Sequence, residues 1–271
     1  MIVSSYAAIG DSFTEGLGDE LPDGTPRGWA DFVALGLAAA YAAARGGAGG
    51  ATGVPAQPFG YANFAIRGRL LGPILAEQLA PAIALGPDLL TINGGGNDIM
   101  RPRVSVASTA DRLVAAAGEA AAAGIRVALV SGADPTRHLP LGPLIKARGD
   151  ELAVAVRARL AGTGIAFVDN WSDAALTDLR YWSIDRLHLN AFGHARVAGN
   201  VLAALGVEVP AAAHAPYAVG ERLDIARPRT AEYWRQYVLP WIGRRLTGRS
   251  SGDGRTAKRP TLLPVEVLGE G

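Results

Sequence analysis

A serine follows a short apolar run in Gly10-Asp11-Ser12-Phe13. Its hydroxyl is a weak nucleophile and needs an adjacent base. The chain contains four histidines, His138, His188, His194 and His214. His188 closes Asp185-Arg186-Leu187-His188, a spacing that lets a carboxylate meet an imidazole on one side of a tight turn. Asp185 could there hold the His188 tautomer and stabilise the imidazolium. Acyl transfer to a serine also requires donors for the oxyanion. Gly68 can bring a backbone N–H where a side chain would block approach. Asn97, preceded by Gly94-Gly95-Gly96, carries an amide donor, and Asp98 can brace that loop through local hydrogen bonds.

Each feature has a plainer rival. Ser12 with Glu15 fits a helix cap, the glycine run fits a turn, and Asp185 with His188 fits a surface pair. Four such blocks in order, each beside a strand end, favour chemistry. His194 reads as a structural or surface histidine, and His138, in Asp134-Pro135-Thr136-Arg137-His138, as a loop residue. A metal held by Asp185, His188 and His194 has no ligand geometry behind it. No metal and no cofactor is expected. The absence of cysteine excludes disulfides, thiolate metal sites and a cysteine nucleophile.

In order, Gly10-Asp11-Ser12, Gly68, Gly95-x-Asn97-Asp98 and Asp185-x-x-His188 resemble the four blocks of the SGNH hydrolase superfamily, the GDSL-like lipases and acylhydrolases. The resemblance covers roughly residues 5–205, an extent set by the strand–helix pattern. It implies Ser12 as nucleophile and Asp185 and His188 as its triad partners. The oxyanion hole would be the N–H groups of Ser12 and Gly68 and the side chain of Asn97, with Asp11, Gly95 and Asp98 in support. Phe13 replaces the leucine of the GDSL name. The Gly-x-Ser-x-Gly elbow is absent around Ser12, so an α/β-hydrolase is the wrong analogy. The implied activity is hydrolysis of a small-molecule carboxylic ester through an acyl-enzyme. Acyl transfer to another alcohol, or a non-catalytic binding module on this fold, are the alternatives. Acyl length and alcohol part stay open, because the family handles acetylated sugars, lysophospholipids, thioesters and simple lipid esters.

The elements that must position these residues follow from periodicity. Strands are predicted at Ser5–Ile9, Tyr61–Ile66, Leu89–Asn93, Arg126–Val130 and Ile165–Val168. Helices are predicted at Gly28–Ala44, Leu70–Leu85, Ser105–Ala123, Leu144–Leu160 and Ala191–Leu205. Strands separated by helices imply parallel crossovers. The expected fold is therefore a three-layer α/β/α sandwich, flavodoxin-like, with a parallel sheet of about five strands. In such sheets ligands bind at the carboxyl ends of the strands, where Ser12, Gly68 and Asn97 would gather. The loops Glu15–Arg27, Ile99–Val104 and Ala133–Pro143 are expected to wall the pocket, and Arg45–Gly60 reads as a mobile surface loop.

Residues 1–205 are expected to form the hydrolase domain and 206–271 an extension. The extension holds an amphipathic helix, Thr230–Leu246, and a basic tail, Gly248–Arg259, predicted to be disordered. Tyr233, Trp234, Tyr237 and Trp241 recur at helical spacing, so the preferred reading packs them on the domain. The lesser reading is a weak membrane-surface contact through the basic face. The chain has 271 residues, 49% of them hydrophobic, and a net charge of +1. That balance supports a large core and gives no reason to expect nucleic acid. No signal peptide or membrane span is read, so a cytoplasmic protein is expected. The arginine-rich, alanine-rich usage fits a bacterial, GC-rich genome. Oligomeric state is open.

Overall fold

The structure is a computed structural model that describes residues 2–46, 57–139, 141–208, 230–240, 243 and 251–266. Its first half alternates β1 (Ser5–Ile9), α1 (Ser12–Glu15), α2 (Trp29–Gly46), β2 (Gly60–Asn63), α3 (Leu71–Ile74) and α4 (Ala80–Ala84). A π-turn, Leu75–Leu79, joins α3 to α4, so 71–84 is one continuous helix. There follow β3 (Leu89–Ile92), α5 (Gly96–Ile99), α6 (Val106–Ala122), β4 (Arg126–Val130), α7 (Gly142–Leu160), β5 (Ala166–Val168) and α8 (Ala191–Ala204). After 208 come α9 (Thr230–Tyr233), continued by a π-turn, and β6 (Arg259–Pro264).

The sheet order is β5-β4-β3-β1-β2-β6. The first five strands are parallel, as expected from the crossovers. Both faces are covered, which is why the strands are apolar throughout rather than alternating. Successive residues of β1 point to opposite faces. Tyr6 and Ala8 join Trp29, Phe32, Val33, Val197 and Val201 from α2 and α8. Ala7 and Ile9 join Leu71, Ile74, Leu113 and Val156 from α3, α6 and α7. Local signals set the ends. Ser105 caps α6 by accepting from the Ser108 N–H at 3.2 Å, and Gly124 follows that helix with φ +84°. At the base of β1, the Asp88 carboxylate accepts from the N–H groups of Ser4 and Ser5 at 2.7 and 3.1 Å, which fixes β1 against the start of β3.

The tail corrects the expectation of disorder over Gly248–Arg259. Its described part turns at residues 251–254, and Arg259 opens β6, which pairs antiparallel with β2. Lys258 Nζ donates to the carbonyls of Glu15 and Pro26 at 2.7 and 2.8 Å and to Asp31 Oδ2 at 2.7 Å. Arg259 Nε donates to the Tyr61 carbonyl at 2.7 Å. Charges read as a solvated face are thus spent on backbone carbonyls and one carboxylate. The amphipathic helix is described through 240 and at 243, and its remaining predicted residues lie outside the described residues. The same holds for 47–56 of the predicted Arg45–Gly60 loop, and for His214. Among the described residues no helix is long and apolar enough to cross a membrane.

The Lys258 ammonium holds the β1–α2 connection to the tail from a position only 14% exposed. Lys258→Ala should therefore lower unfolding stability by about 1–3 kcal/mol, the cost of leaving buried acceptors unpaired. Urea denaturation measures this, and an unchanged midpoint would mean that the tail is a passenger.

Candidate active site

β1 delivers the chain to Gly10, whose backbone is clamped on both sides. Gln78 Nε2 donates to its carbonyl at 3.0 Å, and its N–H donates to Gln78 Oε1 at 2.8 Å. Gln78 lies in the π-turn and is 2% exposed; π-bulges in helices are frequent at functional sites. A Cβ at Gly10 would come within 2.5 Å of Thr14 Oγ1, so only glycine fits this turn. Asp11 then caps α1, accepting from the Phe13 N–H at 3.0 Å. Ser12 begins that helix. Gly16 ends it at φ +102°.

His188 reaches Ser12 from the far end of the chain. Its Nε2 lies 3.1 Å from Ser12 Oγ, and its Nδ1 lies 2.6 Å from Asp185 Oδ2. The other carboxylate oxygen of Asp185 accepts from Ser183 Oγ at 2.7 Å and from the N–H groups of Leu187 and His188, both at 2.9 Å. Arg186 sits inside this turn at φ +57°, outside the ordinary range for a bulky residue. Its guanidinium lies 4.4 Å from the centre of the Tyr233 ring, and the Tyr233 hydroxyl donates to the Asp185 carbonyl at 3.2 Å. The first turn of the C-terminal helix thus braces the strained loop.

The electrostatics follow from these contacts. Burial works against charge on Asp185, but the His188 charge and hydrogen bonds outweigh it, so its carboxyl is held well below the usual carboxylate range. Burial also opposes a charge on His188, and the Asp185 carboxylate wins, raising its pKa above the ordinary imidazole value. At Asp11 burial prevails over the Phe13 N–H and the nearby His188, pushing the pKa up to about 6.

Asn97 meets Asp11 from the β3 side. Its Nδ2 donates to Asp11 Oδ2 at 3.0 Å and to the Arg69 carbonyl at 3.1 Å. Both hydrogens of the amide are therefore directed at protein acceptors. Asp98 Oδ2 accepts from the Leu71 N–H at 2.9 Å, tying this loop to the start of α3. Burial raises the Asp98 pKa. Gly95 makes the loop possible at φ +88°, where a Cβ would meet Thr109 Cγ2 at 2.9 Å. Gly68, at φ +74°, shares one cavity with Ser12, Asn97, Asp185 and His188. The predicted site residues are thus brought together in the structure. Of the loops expected to form walls, residues 99–101 and parts of 133–139 do so, whereas none of 15–27 is among the cavity's described lining.

Of the other described histidines, both His194 and His138 lie apart from this contact. His194 is buried, with Nε2 3.1 Å from the Leu17 carbonyl and Nδ1 accepting from the Trp29 N–H at 3.2 Å. His138 pairs with the Thr177 carbonyl at 3.0 Å and meets the Trp182 ring edge-on. Among the described residues no group of three or more His, Cys, Asp or Glu could hold a metal ion. Sequence reasoning did not single out Gln78, Ser183 or Arg148. The last donates Nε to the Ile99 carbonyl at 2.6 Å and Nη2 to the Val104 carbonyl at 2.6 Å, pinning the segment after Asn97. No local pattern marks Gln78 or Arg148, whose partners are distant in sequence, whereas Ser183 stands two residues before Asp185, a spacing from which its contact could have been read.

Comparison with known proteins gives the family and the fold. The model of the GDSL-like Lipase/Acylhydrolase family matches residues 8–196. The fold is similar to Axe2, an acetylxylan esterase from Geobacillus stearothermophilus, with a TM-score of 0.56 at 21% identity over 78% of this chain and 100% of that one. It is also similar to the lipase Lip_vut3 from a goat rumen metagenome, with a TM-score of 0.55 at 18% identity over 74% of this chain and 96% of that one. At these identities the structural likeness is one of fold. No curated protein matches the sequence.

The Gly95 backbone generates a simple expectation. Gly95→Ala places a Cβ in the left-handed region and against Thr109, so it should cost at least about 1–2 kcal/mol of stability. Chemical denaturation tests this, and a wild-type unfolding curve would contradict the assigned backbone conformation.

Proposed function

We propose that this chain, which belongs to the GDSL-like lipase/acylhydrolase family, hydrolyses carboxylic esters by passing the acyl group through Ser12. The observation that carries the reading is the continuous relay from Ser12 Oγ to His188 Nε2 at 3.1 Å and from His188 Nδ1 to Asp185 at 2.6 Å. Ser12 Oγ attacks the ester carbonyl carbon while His188 Nε2 takes the hydroxyl proton. The carbonyl oxygen becomes an oxyanion, stabilised by the N–H groups of Ser12 and Gly68 and by Asn97. To reach it, the Asn97 amide gives up or shares its bond to Asp11. Collapse of the intermediate breaks the bond to the alcohol oxygen, which leaves with the proton from His188. Water then attacks the acyl-serine by the same route, returning the Ser12 hydroxyl and releasing the acid. Asp185, ionised well below neutral pH, holds the His188 tautomer and favours the imidazolium.

Removing the nucleophile tests the reading directly. Ser12→Ala should reduce turnover of a p-nitrophenyl ester by at least about a thousandfold while leaving the melting temperature near that of the parent. Retained turnover would rule out Ser12.

The titration of His188 gives a second test. The base works only when neutral, so kcat/KM should rise with pH through a value above the ordinary imidazole pKa, because His188 is shifted upward. Asp185→Asn removes the largest attraction that raises it and leaves burial opposed only by the weaker pull of Asp11 and Glu20, so the rising limb should move to lower pH. The plateau should fall by several orders of magnitude, about 10⁴ where such a change has been made in another triad. A limb that stays in place in the variant would detach Asp185 from His188.

A further inference from the structure

The cavity that holds Ser12 does not stop at the strand ends. It continues beneath the Asn97 loop into the layer formed by α6 and α7, lined by Ile92, Leu129, Leu113, Leu152, Ala153 and Val156. The first two come from β3 and β4, Leu113 from α6 and the last three from α7. All six are apolar. The polar groups of the cavity that stand closest to the reaction, Asp11, Ser12, Asn97 and His188, lie at or beyond strand ends, outside this inner limb. Asn93 and Ser131, also in the lining, follow β3 and β4 directly. The mouth is therefore polar and the interior is hydrocarbon.

Two glycines of the lining let neighbouring side chains pack closely around it. Gly94 stands where a Cβ would come 3.0 Å from Leu71 Cδ1 and 3.4 Å from Ile74 Cδ1. Gly149 of α7 is overlain by Trp171, whose ring lies 1.9 Å from where a Cβ would be. The indole is held there by its Nε1 donating to Asp150 Oδ1 at 2.9 Å. Arg148, by gripping the carbonyls of Ile99 and Val104, ties α7 to the loop above the limb.

The two ends of an ester need different surroundings. The alcohol oxygen takes its proton from His188, so the alcohol belongs on the His188 side, where Tyr233 and Tyr237 of the C-terminal helix line the cavity. The carbonyl oxygen faces Asn97, so the acyl group takes the remaining direction, which we assign to the apolar part of the lining. The whole cavity is about 310 Å³. An apolar cavity of about 150 Å³ holds a benzene ring, so the space accommodates about a dozen carbons of acid and alcohol together.

We infer that the limb between the sheet and α6–α7 is an acyl-chain chamber, and that the substrates are esters of unbranched acids of about six to ten carbons. This rests on the assignment of Ser12 above. Each methylene taken from water into such a chamber should favour reaction by about fourfold.

The test combines turnover with binding. In a p-nitrophenyl ester series from acetate to dodecanoate, kcat/KM should peak at the middle lengths, with octanoate preferred over acetate by at least about tenfold. Ala153→Phe fills the limb and should lower that ratio by about tenfold or more. By calorimetry, Ser12→Ala protein should bind octanoate and not acetate, a measurement that needs no catalysis and no filled variant. Octanoate binding with no turnover of any ester would uphold the chamber and overturn the role of Ser12. Turnover of acetate with no gain at longer chains and no octanoate binding would overturn the chamber and leave Ser12 in place. An octanoate-to-acetate ratio unchanged in a folded Ala153→Phe protein would also overturn it.

Discussion

A neutral buried imidazole holds the two halves of the site at their working distance. His194 is fully buried and stands between the Leu17 carbonyl and the Trp29 N–H. A carbonyl can only accept and an N–H can only donate, so the proton must sit on Nε2 and the ring must be uncharged. Burial enforces this by pushing its pKa down to about 4. Leu17 follows Ser12 closely, Trp29 opens α2, and His194 lies in the first turns of α8, just past His188. One side chain therefore ties the loop after Ser12 to the helix after His188. The packing of α2 on α8 through Trp29, Phe32, Val197 and Val201 supplies the rigid frame in which that tie has meaning.

The remaining parts of the site are also positioned by groups that take no part in the chemistry. Gln78 fixes the backbone before Ser12, and Asp98 fastens the Asn97 loop to α3. Ser183 and two N–H groups hold the Asp185 oxygen that does not face His188. Such support matters because a small displacement of reacting groups is costly in rate. It comes from all around the sheet, including the tail. Gly252 packs so tightly on the Arg67 carbonyl that a Cβ would lie 2.2 Å from it, next to Gly68. Glu15 accepts from the Arg67 N–H at 2.6 Å on the other side. Gly68, which the proposed mechanism sets at the oxyanion, is thus held between the first helix and the last described segment.

What could be read from the sequence was whatever is local. Gly10-Asp11-Ser12 encodes its own turn and cap, Asp185-x-x-His188 closes its own hydrogen bond, and apolar runs bounded by glycine mark the strands that bring them together. What could not be read depends on distant partners. The π-turn at Leu75–Leu79 looks like ordinary helix in its residues, yet it presents Gln78 to Gly10. Asn97 was legible as a donor, but its two acceptors on Asp11 and Arg69 were not. β6 was hidden because Pro260 and Pro264 argue against a strand, a rule that holds for central strands and not for edges. Lys258 looked like solvated charge because nothing near it in sequence announces Asp31.

Those two prolines have a further effect. The sheet order leaves β5 and β6 as its borders. A bare border offers unpaired N–H and C=O groups as a template on which other chains can add strands. β6 covers β2 and presents in its place a strand in which Pro260 and Pro264 have no N–H to donate. At the other border β5 is only three residues long, Ala166–Val168. A sheet with apolar residues on both faces is thereby closed to growth at either margin, so a chain half hydrophobic by composition is guarded against stacking strand by strand into aggregates.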